Sequence, residues 1–268
     1  MRFALVNNIR TEATPEQKGL CQECGENVTA KCGKQRVWHW SHKTKRNCDN
    51  RWETEGEWHR NWKNQFSHEW QEIIRYDEKT GEKHIADVRT THGLVIEFQH
   101  SSIDPQEQDK REGFHKDMVW IVDGTRLKKD YPRFLERRGW RSPWQQVETG
   151  LFLVSNPQQC FPVSWHQRNV PIFFDFLGFP IVDPSNMERE HLWCLLPGRP
   201  EEGKAIVVAT ARKDFITAST NGTLINWLYQ ITQKAKHFIE NEKRHQAWLK
   251  RTQDPLNLIL QASHRGRF

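Results

Sequence analysis

Two short runs of alternating side chains constrain the fold of this chain more than any other feature. Residues 84–89 (HIADVR) and 94–100 (LVIEFQH) each have the length of a β-strand, and a Thr-His-Gly turn ending at Gly93 joins them. Successive side chains of a strand point to opposite faces of the sheet. The two runs therefore predict a hairpin with one apolar face and one face of charged and amide groups.

The polar face of this hairpin is expected to bring two acids together. Asp87 from the first strand and Glu97 and Gln99 from the second lie opposite the apolar side chains of Ile96 and Phe98. Two neighbouring carboxylates repel each other and are costly to desolvate, and a divalent cation removes both costs. The pattern predicts that Asp87 and Glu97 hold a metal ion.

A helix is predicted over residues 55–70 (EGEWHRNWKNQFSHEW), because large aromatic side chains recur there at every fourth position. These core residues are Trp58, Trp62 and Phe66. An adjacent stripe with the same spacing presents an acid, an imidazole and an amine, which are Glu55, His59 and Lys63. Helical spacing alone favours a solvated face with one or two ion pairs.

The elements around the hairpin indicate an α/β order. Residues 71–76 have the pattern of a strand, residues 104–115 that of a helix with Asp104 as its N-cap, and residues 118–122 that of a short buried strand. The predicted order is helix, three strands, helix, strand, which is typical of an α/β domain.

The first fifty residues contain a candidate zinc site. A Cys-x-x-Cys-Gly turn lets two thiolates face one ion, and two further ligands are expected some tens of residues later. The favoured ligand set is Cys21, Cys24, His42 and Cys48. His39 is the alternative ligand, although it lies inside the strand-like RVWHW, and Cys32 is the third choice. Four protein ligands close a zinc site, so its role would be structural, and the alternative is a pair of free buried thiols.

Taken together, these motifs resemble the competence protein CoiA-like family, which is placed among the PD-(D/E)xK, or restriction-endonuclease-like, nucleases. The resemblance rests on C-x-x-C-G, R-V-W-H-W-S-H, E-x-x-x-H-x-x-x-K, I-A-D-V and G-L-V-I-E-F-Q-H-S, in one order over roughly residues 1–140. It implies metal-dependent phosphodiester cleavage, with Asp87 and Glu97 as ligands to Mg²⁺ or Mn²⁺ and Gln99 where the superfamily more often has lysine. It also implies that Glu55, His59 and Lys63 belong to the site.

The roles expected of these residues follow from their chemistry. Gln99 can orient a water molecule but carries no charge, so Lys63 is the candidate for the positive charge that a lysine would otherwise supply. His59 is expected to orient a carboxylate or to act as an acid or base. Glu55 is a candidate third metal ligand.

The overall charge agrees with a nucleic-acid partner without requiring one. The chain has a formal net charge of +6 and a pI of about 9.0. DNA is the expected partner, and RNA is not excluded. The sequence shows no signal peptide and no apolar run long enough to cross a membrane, so we expect a cytoplasmic protein.

The sequence divides into three predicted regions. These are a zinc-binding lobe over residues 1–50, a PD-(D/E)xK-like core over 51–140 and an α+β C-terminal region over 141–268 that ends in a long amphipathic helix beginning near Thr223. The predicted function is a metal-dependent nuclease acting on DNA. The alternative is a non-catalytic nucleic-acid-binding accessory protein in DNA uptake, recombination or defence.

Overall fold

The structure is a computed structural model that describes residues 1–43, 55–77, 81, 83–139, 144–179, 181 and 186–253. The predicted zinc ligand Cys48 lies outside these residues. Within them, the chain is a mixed α/β protein with two sheets.

A small antiparallel sheet forms the N-terminal lobe. Its strands are β1 (Phe3–Val6), β2 (Ile9–Glu12), β3 (Lys18–Leu20), β4 (Asn27–Lys31) and β5 (His39–His42), in the order β2-β1-β3-β4-β5. Ala4, Val28 and Trp40 fill its small core, which also contains Cys21. So little apolar area is buried here that a bound metal would contribute substantially to the stability of the lobe.

The next elements follow the predicted order of helix, three strands, helix and strand. They are α1 (Glu57–Lys63), β6 (Gln71–Tyr76), β7 (Lys83–Arg89), β8 (Val95–Gln99), α2 (Pro105–Phe114) and β9 (Met118–Asp123). Gly93 has a φ of 91°, which suits the turn between β7 and β8 because glycine lacks a Cβ. Asp104 accepts hydrogen bonds from two backbone N–H groups at the start of α2, as expected of an N-cap.

The predicted helix over residues 55–70 is wrong in its bounds. Helix α1 ends at Lys63, and a separate short 3₁₀ helix, His68–Trp70, begins after Ser67, whose side chain accepts from the N–H of Glu69. Glu55 precedes the N-cap Gly56 and so lies outside α1. The predicted aromatic stripe is nevertheless buried as a unit, because Trp58, Trp62 and Phe66 all pack in one core cluster.

The rest of the described chain adds five strands and four α-helices, besides two short 3₁₀ helices at Pro157–Gln159 and Val163–Trp165. They are α3 (Asp130–Arg138), β10 (Trp144–Glu148), β11 (Leu151–Ser155), β12 (Ile172–Asp175), α4 (Met187–Glu190), β13 (His191–Leu195), β14 (Lys204–Ala211), α5 (Arg212–Thr220) and α6 (Leu224–Gln253). Leu224, Leu228, Ile231 and Ala235 are buried along α6, as the amphipathic pattern predicts.

A single nine-stranded sheet contains strands from both sides of residue 140, the predicted boundary between the core and the C-terminal region. Its order is β10-β11-β14-β13-β12-β9-β8-β7-β6. Strand β9 is parallel to both β8 and β12, and the other neighbours are antiparallel. The C-terminal region therefore extends the sheet that carries the acidic hairpin.

Two apolar cores cover the sheet. One contains Trp58 and Trp62 of α1 together with Phe215 of α5 and the buried side of α6. The other is rich in aromatic rings and centres on Phe134 of α3, which contacts Phe176 and Trp193. No described helix is long and apolar enough to cross a bilayer.

Candidate functional site

A cleft of about 480 Å³ lies where α1, the β7–β8 hairpin and α2 meet. We call it the polar cleft, and it is lined by Glu55, His59, Lys63, Asp87, Gln99 and Arg111 together with Lys110 and the residues that lead into α2. The structure thus brings five of the six residues predicted for catalysis to one cavity. The sixth, Glu97, does not line it but contacts Asp87 and Arg111, which do.

Asp87 and Glu97 are tied together across the junction of β7 and β8. Val88 and Arg89 pair with Ile96 and Val95, which places Asp87 opposite Glu97 in the register. The backbone N–H of Asp87 donates to Glu97 Oε1 at 3.4 Å, and the N–H of Phe98 donates to Asp87 Oδ2 at 3.0 Å. The predicted convergence of the two acids is therefore present in the fold.

Asp87 is held in its charged form. His59 Nε2 lies 3.0 Å from Asp87 Oδ1, and Lys63 Nζ lies 3.7 Å from the same oxygen. Burial opposes ionisation, but the charges of His59 and Lys63 and the Phe98 N–H outweigh it and lower the pKa of Asp87 to about 2. Asp87 in turn raises the pKa of His59 against the opposing effect of burial.

Glu97 has the opposite electrostatic character. Its side chain is 1% exposed, and its Oε2 accepts from Arg111 Nη1 of α2 at 2.7 Å. Burial, reinforced by the charge of Asp87, raises the pKa of Glu97 to about 7 in spite of Arg111. Neighbouring carboxylates with separated pKa values are typical of functional sites.

Lys63 is enclosed by three carboxylates. Its Nζ lies 3.0 Å from Glu72, 3.4 Å from Glu55 and 3.7 Å from Asp87, and its side chain is 1% exposed. These acids raise the pKa of Lys63 although burial lowers it. The charge of Lys63 is therefore balanced inside the protein, which weakens the hypothesis that it replaces the lysine missing at Gln99.

Glu72 connects this cluster to the N-terminal lobe. Its carboxylate accepts from the backbone N–H groups of Arg2 at 2.7 Å and Phe3 at 3.2 Å. Glu72 has a left-handed φ of 48°, a conformation that costs an L-residue roughly 1–2 kcal/mol. The first strand of the small sheet therefore helps to position an acid beside the polar cleft.

Glu55 forms a two-point ion pair with Arg60 in addition to its contact with Lys63. Arg60 Nε donates to its Oε1 at 2.9 Å and Arg60 Nη2 to its Oε2 at 2.7 Å. The charges of Lys63 and Arg60 lower the pKa of Glu55 despite its burial. With both oxygens already engaged, Glu55 fits a structural role better than the predicted role of third metal ligand.

Sequence reasoning missed Arg111, Lys110 and Glu72. The only sequence signal for Arg111 is its i,i+4 spacing from Glu107, to which it also donates at 3.0 Å. For Glu72 the signal is an acid inside a strand that is otherwise apolar at its centre. Gln99, which was predicted, lines the polar cleft and donates from Nε2 to the carbonyl of Ser101 at 3.1 Å.

The two acids of the hairpin differ in their fit to a hard divalent cation, because Asp87 lines the polar cleft whereas both oxygens of the buried Glu97 already accept from Asp87 N–H and Arg111. Mg²⁺ is usually bound through one or two carboxylates and keeps several waters, so a protein need not supply a complete cage. Asp87 is ionised and 14% exposed at the polar cleft. Both ring nitrogens of His59 beside it are buried, and Nε2 contacts Asp87 Oδ1 at 3.0 Å as an ion pair without a well-aligned hydrogen bond. A cation in the cleft would contact the carboxylate of Asp87.

A Cys/His group that could hold a metal such as zinc lies in the N-terminal lobe. The ligand atoms of Cys21, Cys24 and His42 all lie within 4.8 Å of one another, and Cys24 Sγ is 3.3 Å from His42 Nε2. His39, the alternative ligand, instead contacts the carbonyl of Val37 through Nδ1 at 2.9 Å. No disulfide is present among the described cysteines, which leaves both thiols available as ligands.

Comparison with known proteins supports the resemblance over the N-terminal lobe. The family model described as "Competence protein CoiA, N-terminal domain" matches residues 7–51, which include Cys21, Cys24 and His42. No curated protein and no solved structure shows significant similarity to the chain. The match supports the competence protein CoiA-like family and ends before the polar cleft begins.

Proposed function

We propose that this chain, which matches the CoiA N-terminal domain over residues 7–51, hydrolyses phosphodiester bonds in DNA at the polar cleft. The observation that carries the proposal is the pairing of Asp87 with Glu97 across two adjacent strands, with Asp87 facing the cleft. The family match supports a competence-related setting. The restriction-endonuclease-like core is part of the same proposal, supported by the order helix, three strands, helix, strand.

Asp87 would hold the catalytic Mg²⁺ or Mn²⁺ at the cleft, and Glu97 would join it as a ligand once its Oε2 is released from Arg111. When bound, such an ion lowers the pKa of a coordinated water and offsets the charge that develops on the phosphate. The low pKa of Asp87 keeps this ligand deprotonated at neutral pH. His59 fixes the carboxylate of Asp87 through their 3.0 Å ion pair, and it acts as a positioning residue.

Gln99 and Lys110 would contact the substrate. The amide of Gln99 lines the cleft and can orient a water molecule or a phosphate oxygen by hydrogen bonding. The exposed Lys110 of α2 also lines it and would bring positive charge to the backbone of the nucleic acid, whereas the charge of Arg111 is balanced by Glu97 and Glu107. Lys110 would therefore supply the charge of the missing lysine, in place of the enclosed Lys63.

One observation favours the second candidate function, a nucleic-acid-binding accessory protein without turnover. Arg111 already provides a positive charge for Glu97 at 2.7 Å, so the acid pair is partly neutralised without a metal ion. A cleft that serves only for binding would retain Lys110 as a phosphate contact. Only the nuclease breaks phosphodiester bonds, whereas the accessory protein binds the nucleic acid and leaves it intact.

The test is a cleavage assay with linear, circular and single-stranded DNA and with RNA, each in Mg²⁺, Mn²⁺ or EDTA. We expect cleavage in Mg²⁺ or Mn²⁺, none in EDTA, and a loss of at least 100-fold in Asp87→Asn and Glu97→Gln, the scale of removing a group that acts in the transition state. Asp117→Asn, an exposed acid before β9, is the matched control and should cleave normally. Tight binding without cleavage in any metal would reject the nuclease and support the accessory role.

A further inference from the structure

A second and larger cleft lies at the far end of the nine-stranded sheet. It has a volume of about 820 Å³ and lies between the turn of the β10–β11 hairpin, the end of β14, α5 and the first turns of α6. We call it the aromatic cleft. Its volume is within the range of small-molecule sites, and none of the residues predicted from the sequence for catalysis or metal binding lines it.

Aromatic rings form much of its wall. Phe152 of β11, Trp193 of β13, Phe215 of α5 and Trp227 of α6 all line it. Phe152, Trp193 and Phe215 are almost fully buried and form the floor of the cleft, so the half-buried Trp227 is the ring most open to a ligand. Such a wall favours a ligand with a planar aromatic part.

The cleft also contains a cation that has no counter-ion among the described residues. The guanidinium carbon of Arg138, at the end of α3, lies 4.6 Å from the ring centre of Phe152 and 5.5 Å from that of Trp193. Its Nε is buried without a hydrogen-bond partner, and the described residues offer Arg138 no ion pair. A guanidinium held by stacking, with no carboxylate paired with it in the described part of the chain, is suited to an anionic oxygen group.

The remaining polar lining consists of two acids and several amides. Asp214 and Glu188 line the cleft and form no ion pair with other described residues, and Asn226 and Gln230 add amide groups from α6. Carboxylates can accept from sugar hydroxyls, as they do in nucleotide sites, and amides can bond to the edge of a base. Two carboxylates beside one arginine also disfavour a ligand with several phosphates.

We propose that the aromatic cleft binds a nucleoside monophosphate. Its base lies against Trp227, its phosphate contacts Arg138, and its sugar faces the acids. The proposal is independent of phosphodiester hydrolysis, since no residue lines both clefts. The two clefts are nevertheless connected through the core, because the ring of Phe215 lies 6.2 Å from that of Trp62 in α1.

The test is isothermal titration of the full chain, in EDTA, with AMP, adenosine, ATP and inorganic phosphate. We expect AMP to bind more tightly than the other three. Arg138→Gln should weaken AMP binding by about tenfold or more, the scale of losing a charge-assisted hydrogen bond. Arg137→Gln removes the neighbouring arginine, which does not line the cleft, and should bind AMP normally.

Two further variants keep the result interpretable. Asn226→Ala changes an exposed position of α6 that should fold normally and should also weaken AMP binding. Asp87→Asn, in the polar cleft, should leave AMP affinity unchanged even where it abolishes cleavage. No binding of AMP, or binding that Asp87→Asn removes while Arg138→Gln and Asn226→Ala do not, would overturn the proposal.

Discussion

Arg111 Nη1 donates to Glu97 Oε2 at 2.7 Å, and this contact joins α2 to the acidic hairpin. Arg111 occupies the side of Glu97 that lies away from the backbone N–H of Asp87, so each oxygen of the buried acid has a donor. Even so, burial and the charge of Asp87 raise the pKa of Glu97 to about 7. The folded protein therefore takes up a proton at Glu97 that the unfolded chain does not hold near neutral pH.

The first prediction is that Glu97→Gln removes a pH dependence of stability. Glu97 has a folded pKa of about 7 and an ordinary value of 4.5, so between these pH values the native state binds more protons and wild-type stability falls as pH rises. The free energy of unfolding of the variant should therefore rise relative to that of wild type as the pH increases through this window, by up to about 3 kcal/mol. Urea unfolding in EDTA at pH 4.5, 6 and 7.5 measures the difference, and Glu136→Gln, an exposed acid, should show none. A constant difference at all three pH values would contradict the assignment.

The local parts of the site could be predicted from the sequence. Side chains along a strand point alternately to the two faces of the sheet, so the face shared by Asp87, Glu97 and Gln99 follows from the hairpin alone. Cys21 and Cys24 are similarly fixed by one turn. For these residues the prediction needed no knowledge of which element packs against which.

The partners of the acids could not be predicted, because they depend on tertiary placement. Arg111 reaches Glu97 only because α2 crosses from β8 to a parallel neighbour, β9, and lies beside the hairpin. Glu72 reaches Lys63 only because the chain turns back after α1 and brings the start of β6 beside the end of that helix. For the same reason, the sequence did not show that strands from both regions form one sheet. β12 pairs with β9, and no local sequence pattern indicates this pairing.

The second prediction concerns the buried Lys63. Lys63→Met should reduce the free energy of unfolding by about 3–5 kcal/mol, because it leaves Glu55, Glu72 and Asp87 without their shared cation. Urea unfolding at pH 7 measures the loss. Lys110→Met is the matched control, since Lys110 lines the same cleft but is exposed, and it should weaken DNA binding with little change in stability.

A double variant tests the reason for the loss. Adding Glu72→Gln to Lys63→Met removes one of the acids that repel each other and should recover part of the stability. If the losses of unfolding free energy in the two single variants add up to the loss in the double variant, Lys63 and Glu72 do not interact, and this explanation of the cluster is wrong.

The third prediction concerns metal in the N-terminal lobe. Purified protein should contain about one zinc per chain, and Cys24→Ser or His42→Asn should lose it, because their ligand atoms lie together with that of Cys21. Cys32→Ser and His39→Asn are the matched controls and should retain it. Elemental analysis by mass spectrometry measures the content. Retention in His42→Asn together with loss in His39→Asn would reverse the assignment of the histidine.

The fourth prediction links the C-terminal region to the polar cleft through Asp175 of β12. This fully buried carboxylate accepts from the indole N–H groups of Trp58 at 2.9 Å and Trp62 at 2.8 Å, and it forms an ion pair with Arg212 at the start of α5. Since the same helix α1 carries His59 and Lys63, β12 positions the residues that surround Asp87.

Asp175→Asn should therefore destabilise the protein and also disturb the polar cleft. The amide keeps one acceptor oxygen but presents an NH₂ group to a site that contains only donors, and it leaves Arg212 unpaired, at a cost of about 2–4 kcal/mol. Urea unfolding measures this loss, and DNA cleavage below the unfolding temperature should fall as α1 shifts. Trp58→Phe, which removes one donor while Trp62 and Arg212 remain, should cost less by both measurements. If Asp175→Asn lost stability but cleaved at the wild-type rate while folded, β12 would support the fold without positioning α1.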